Sequence, residues 1–388
     1  MEEAEHVIDS FFSEIIDLSD QIYKISETGS SEFKSSEIMN RFLSRHGFTV
    51  EQPFCGMKTA FMARKGSGKM KIGFLAEYDA LPNGHSCGHN LIAAWAAGSS
   101  VLLSRISEDF TVTVFGTPSE EGIGEYAGSK ILMAEKRCFN GMDFMFGFHP
   151  DDRWSVGSVS LADITLEITF TGKESHGADS PESGINALDA AISAYTAINS
   201  LRGWAKNNRN LVVGMIFTEA GKATNVIPGR AVLQVEIRST DQEFAERFSE
   251  KVKSAAEGSA ESYGASVSIR HAAPVYGVYI SNTILDSILQ KSLESYNVSA
   301  HNIDEEQPTA SGSTDEANVS RAVPVGHLDM QIGYPGISGH SEEFRIASDP
   351  LKNRDALRVA ILSTVKAALS AKDRIMDISS EFNEKVKA

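Results

Sequence analysis

The chain is poor in cysteine. Cys55, Cys87 and Cys138 are the three among 388 residues, and their spacing forms no framework, which excludes a small disulfide-stapled scaffold. An odd count fits a reducing compartment, so cytoplasm is the expected location. Positive charge is also scarce: 36 lysines and arginines against 52 aspartates and glutamates leave a net charge of −16. A phosphate backbone is gripped by clustered bases, so no nucleic-acid partner is expected. No apolar run approaches the roughly 20 residues that cross a bilayer, so no membrane span is expected either. Low-complexity tracts and internal repeats are missing, which argues against extended disorder and against a solenoid. The opening "MEEAEHVIDSFFSEIIDL" lacks the basic start and apolar stretch of an export signal. Its Val7, Phe11, Ile15, Leu18 and Ile22 recur at helical period and predict a packed helix.

What is present is enough chain for two domains. Strand-like runs ("KIGFLAEYD", "FTVTVFGTP", "DFMFGFHP") alternate with helix-like ones ("NLIAAWAAGSSVLLSRI", "AGSKILMAEKRCF"), the pattern of an α/β unit with a mainly parallel central sheet and flanking helices. From about Leu161 the texture changes to longer strands with two amphipathic helices, an α+β insert. Helical sequence resumes near Asn282 and ends at "PLKNRDALRVAILSTVKAALSAKDRI". The expected division is a catalytic domain in two parts, 1–160 and 278–388, interrupted by an inserted domain over 161–277.

Ligand-type side chains gather in four short segments: "HSCGH", "TPSEEG", "FGFHP" and "SGHSEEF". The first three follow or end predicted strands, where open α/β sheets place their ligand sites. Cys87 and His89 can face one ion, because a thiolate beside an imidazole suits Zn, Mn or Co. Taken alone, the same pair reads as a helix start with a small buried thiol. Glu120 and Glu121 are adjacent, so one carboxylate can hold a metal while the other takes a proton from water; on a solvated face the pair would mean nothing. His149 ends a strand, where Pro150 is expected to stop further pairing, and could equally be structural. His340 lies in a glycine-rich loop that could be a simple polar turn. His176, in "KESHGADSPESGINA", is either a loop histidine or a donor to a carbonyl gaining charge.

The ordered set "AEYDALPNGHSCGHN", "GTPSEEG", "FGFHP", "SHGADSPESGINALDA", "TNVIPGRA", "GSTDEANVS" and "GHSEEF" resembles the M20 metallopeptidase and amidohydrolase family, in its M20D-like branch. The likeness spans nearly the whole chain in the family's order. It implies a two-metal site at Cys87, His89, Glu121, His149 and His340, holding Zn, Mn or Co, with Glu120 as general base. Asp79 matches an aspartate that orients a ligand from behind. In the insert, a lid and dimerisation domain by resemblance, His176 matches a histidine that reaches the partner subunit's site. Asn225 and Arg238 match positions that hold the substrate's carbonyl or carboxylate. One departure stands out: many members carry His-x-Asp where this chain has Glu77-Tyr78-Asp79. His85 is an additional histidine without an assigned role and is expected to support a ligand or the loop.

The resemblance implies metal-assisted hydrolysis of a small N-acyl amino acid, an aminobenzoyl-glutamate-like compound or a dipeptide, by a homodimer joined through the insert. Glu120 would deprotonate the attacking water and His176 would steady the oxyanion. Two rivals are a non-catalytic metal binder and a thiol hydrolase with Cys87 as nucleophile and His89 as base, a pair poorly placed within one turn. A serine nucleophile elbow is not expected.

Overall fold

The computed structural model describes residues 2–205, 211–308, 310 and 312–387. Its first strands are β1 (Thr49–Glu51), β2 (Phe61–Lys65), β3 (Met70–Ala76), β4 (Phe110–Gly116), β5 (Phe144–Asp151) and β6 (Ser155–Val156). Then come β7 (Ala162–Thr171), β8 (Ser175–His176), β9 (Val212–Glu219), β10 (Val226–Ile227), β11 (Arg230–Ser239) and β12 (Ser266–His271). The last are β13 (His301–Asn302) and β14 (Val325–Gln331). The chain divides into two units, one of Met1–Val159, Tyr279–Thr309 and Asp315–Ala388, the other of Ser160–Val278 and Ala310–Thr314.

The first unit is built on an eight-stranded sheet among the described residues, in the order β1-β2-β4-β3-β5-β14-β6-β13. Its central strands β4, β3, β5 and β14 run parallel. The last five residues of β3 are all buried, as befits a parallel strand covered on both faces. The connection from β3 to β4 is the helix His89–Ile106, apolar nearly all round and buried from His89 to Leu103. A helix without a polar face has to be enclosed. Gly98 permits that enclosure, since a Cβ there would lie 2.7 Å from Ile361 Cδ1 and 2.8 Å from Ile15 Cδ1. Because β4 and β5 lie on opposite sides of β3, the strand order reverses between β3 and β5, and open α/β sheets take their ligands beyond the carboxyl ends of the strands at such a place.

The second unit holds an antiparallel sheet in the order β12-β7-β11-β9 and a short β10-β8 ladder. Helices Ala187–Trp204 and Gln242–Ser262 pack against β7 and β11 and against each other. Asn186 and Asp241 cap them, accepting backbone N–H groups of the first turns, which supplies partners the helix itself cannot.

Three sequence expectations are corrected. The N-terminal helix is two, Glu2–Asp9 and Phe12–Ile25; the break lets the neighbours Phe11 and Phe12 both turn inward, to 2% and 7% exposure. Strand β5 continues past Pro150, paired with β14 as far as Asp151. Its pairing with β3 ends at Phe146, so the N–H that proline lacks is not needed there. Cys55 and Cys138, 83 residues apart, form a disulfide. Their segments fold into one apolar cluster with Phe115 and Phe139, which sequence spacing does not reveal. Cys87 is the free thiol, and the odd count no longer points to a compartment. No helix among the described residues is long and apolar enough to cross a membrane.

Candidate metal centre

The loop after β3 ends in a tight turn. Gly88 has φ +76°, and a Cβ there would meet Pro150 Cγ at 2.8 Å, so glycine is required between Cys87 and His89. Asp79 lies buried beneath this turn. Its Oδ1 accepts from His89 Nδ1–H at 3.0 Å and its Oδ2 accepts the Glu121 N–H at 3.2 Å. One carboxylate thus fixes the imidazole with Nε2 forward and anchors the neighbouring loop. His149 Nδ1–H donates to the Pro150 carbonyl at 2.6 Å, and its Nε2 stands 3.2 Å from Cys87 Sγ. The His340 loop is tied down by its N–H to the Ser86 carbonyl at 2.9 Å and by Asn83 Nδ2–H to its own carbonyl at 3.2 Å. His340 Nε2 then lies 3.4 Å from Glu121 Oε2.

These residues form two donor sets that share one atom. Cys87, His89 and His149 make the first, and Cys87, Glu121 and His340 the second, with donor atoms within 4.8 Å of one another in each. The residues fit a pair of divalent cations on two counts. His89 Nε2 and Glu121 Oε1 are buried without a hydrogen-bond partner, a costly arrangement unless a cation satisfies them. The charges also call for one. Burial pushes the Cys87 thiol up, yet His149 and His89 outweigh it and hold the thiol well below its ordinary range. Burial and the Cys87 charge push Glu121 up to about 7, a repulsion that a cation between them would reverse.

In the second unit, His176 is exposed on β8, opposite Val226 of β10. Its Nδ1 accepts the N–H groups of Ala178 at 3.3 Å and Asp179 at 3.1 Å, which places the ring proton on Nε2 as an outward donor. The Asn225 carbonyl accepts the Gly177 N–H at 2.8 Å, so His176 and Asn225 come together on one small ladder. Arg238 does not join them. It lies near the far end of β11, ion-paired to Asp163 at 3.2 Å and Glu236 at 2.8 Å, roughly 26 Å along the strand from Arg230.

The profile described as a peptidase dimerisation domain of the M20 group matches residues 163–264. The Xaa-Arg dipeptidase of Mus musculus is 32% identical over 84% of this chain and 76% of its own length. The chain belongs to the M20 peptidase family. One component of the p-aminobenzoyl-glutamate hydrolase of Escherichia coli is 28% identical over 74% of the M20 chain and 64% of its own length. The M20 chain also shares the fold of a Bacillus subtilis structure described as a dinuclear metal binding peptidase, with a TM-score of 0.68 at 18% identity over 96% and 99% of the two chains. Its class is metallopeptidase or amidohydrolase.

Several details of the M20 centre escape sequence reasoning. Strand β5 brings His149 Nε2 to 3.2 Å from Cys87 Sγ, where it joins His89 in the same donor set. His85 is fully buried, with Nε2 3.1 Å from the Ile22 carbonyl. Burial and the His89 charge bring it down to about 4, so it is a neutral brace for the loop. The string Gly84-His85-Ser86-Cys87-Gly88 does fit the G-x-S-x-G spacing, so spacing alone does not exclude a serine elbow. It is no nucleophile elbow, because the Ser86 hydroxyl donates to Asn83 Oδ1 at 2.9 Å and a long loop separates β3 from the helix. Lys130 is fully buried; its Nζ donates to Glu77 Oε1 at 2.8 Å and also to Asp315. The one signal was position, three residues before the buried Met133 on the same helix face.

Glu32 steadies the Glu120 loop, its Oε1 accepting the Ser119 N–H at 2.9 Å. Burial pushes Glu32 from 4.5 up to about 7. Folding therefore favours its protonated form, and that stabilisation is fully present below pH 4.5 and lost as pH rises through about 7. Glu32→Gln is expected to gain about 3 kcal/mol relative to wild type between about pH 4.5 and about pH 8, read by denaturant melts of metal-free protein. An unchanged difference across that range would show that Glu32 is not buried as a neutral acid.

Proposed function

We propose that the M20 chain hydrolyses the amide bond of a small N-acyl amino acid, an aminobenzoyl-glutamate-like compound or a dipeptide, with Cys87, His89, Glu121, His149 and His340 holding two divalent ions, Zn, Mn or Co. The observation that carries this reading is the pair of donor sets sharing Cys87, with Glu120 beside them at 3.8 Å from His89 Nε2. When bound, the ions polarise the scissile carbonyl and bring the pKa of a water toward about 7. Glu120 takes the proton of the attacking water at its carboxylate and passes it to the leaving amine. Asp79 keeps His89 and the Glu121 backbone aligned throughout. His176 of the partner subunit donates from Nε2 to the oxyanion. Asn225 orients the carbonyl, while Arg238, held by Asp163 and Glu236 at the far end of β11, is not given the expected role beside it. A panel of N-acyl amino acids, aminobenzoyl-glutamate and dipeptides, run with Zn, Mn and Co in turn, tests the substrate class. Turnover limited to substrates with a free carboxylate supports it, and turnover of none defeats it.

A second reading has one observation in its favour. Cys87 Sγ and His149 Nε2 are 3.2 Å apart, with burial lowering His149 and the Cys87 charge lifting it to about 10, a thiolate–imidazolium pair of the kind cysteine hydrolases use. Such an enzyme would survive chelators and fail on alkylation.

Homodimerisation through the insert is supported by the second unit's surface. Strand β9 is an edge of its sheet, with Val212 and Ile216 exposed, Ile216 at 60%; an open apolar edge invites pairing. Ile216→Glu is expected to halve the mass seen by light scattering and to reduce turnover by removing the partner's histidine. A dimer with full activity in that variant would place the interface elsewhere.

A further inference from the structure

We propose that Glu77 is an additional metal-contacting carboxylate, closing the centre on the His89 side. This rests on the two-metal reading and adds a ligand to it. Glu77 directly follows β3, so its backbone is held by the central sheet. Its side chain is 6% exposed, and Oε1 accepts from Lys130 Nζ at 2.8 Å. The other oxygen, Oε2, is buried without a hydrogen-bond partner, 3.5 Å from His89 Nε2, which has none either. Glu77, His89 and Glu120 have donor atoms within 4.8 Å of one another.

Two buried atoms from different elements of the site, each lacking a hydrogen-bond partner and each able to give an electron pair to a cation, face one another. Their 3.5 Å contact is an ion pair without a hydrogen bond, and a Glu77 serving only as counter-ion to Lys130 and His89 would be better placed with both oxygens hydrogen-bonded. Lys130 is already shared with Asp315, so its ammonium does not neutralise Glu77 fully and the charge remaining on Oε2 is directed at the pocket. A carboxylate added to a thiolate and imidazole set also hardens it, favouring Mn over Zn relative to the set without it.

The test uses the full chain stripped of metal with a chelator, as wild type, Glu77→Gln and Glu77→Asp. Affinities for Mn(II) and Zn(II) are measured by competition with a chromophoric chelator, and metal-free folding by circular dichroism. Glu77→Gln is expected to bind Mn(II) at least about tenfold more weakly, with a smaller change for Zn(II) and an intact metal-free fold. Where Gln prevents folding, Glu77→Asp decides: it keeps the charge for Lys130 but withdraws the oxygen by one methylene, and the same weakening is expected. Wild-type affinity in a folded variant overturns the proposal. A wild-type chain that binds no divalent ion overturns the two-metal reading itself, a separate and visible outcome.

Discussion

Glu120→Gln is expected to lower kcat by about 10³-fold while metal content stays at the wild-type level. Glutamine has the same volume and keeps a carbonyl oxygen, but it cannot take a proton from water. Glu120 belongs to neither of the donor sets built on Cys87, so its loss should leave metal binding standing. Burial, reinforced by the Glu77 charge, pushes Glu120 well above the usual carboxylate range, the direction that makes a carboxylate a better base. KM should change little, because the effect lies in proton transfer rather than in holding the substrate. Less than a roughly tenfold fall in kcat at unchanged metal content would remove Glu120 from the role of base.

Cys87→Ala should abolish activity by a different route, through loss of metal. Its sulfur is common to both donor sets, so truncation breaks both at once, and affinity for the ions should fall by at least about 100-fold. The thiol is suited to this place: it precedes the helix His89–Ile106, whose positive N-terminal end favours a thiolate. A single-ligand loss at His340 should be milder, because that side chain is largely exposed and joins one set. Plasma mass spectrometry of the purified variants distinguishes the outcomes. Retained metal with lost activity in Cys87→Ala would favour the thiol hydrolase.

Much of this fold could be read from residues alone. The β3, β4 and β5 runs are rich in apolar residues and bounded by polar loops, and the insert carries longer strands between amphipathic helices, so period and composition sufficed. The ligand loops were legible because they follow those strands. Two kinds of feature were not. Contacts across the sheet, such as His149 facing Cys87 or Cys55 reaching Cys138, depend on strand order, which one sequence does not state. Buried charges such as Lys130 and Glu32 look like surface residues in a helix or loop until the packing around them is known. Arg238 shows the opposite limit: a motif position identified it, while its ion pairs with Asp163 and Glu236 are visible only in three dimensions.

The most direct test of metal-assisted hydrolysis is a titration of chelator-stripped wild-type protein with Mn, Zn or Co, following bound metal and hydrolysis of a cleavable N-acyl amino acid or dipeptide together. The account predicts that activity vanishes on stripping and returns as two equivalents bind, whether or not a thiol reagent is present once the ions are in place. Activity that survives complete removal of metal and is lost on alkylation of Cys87 would contradict it.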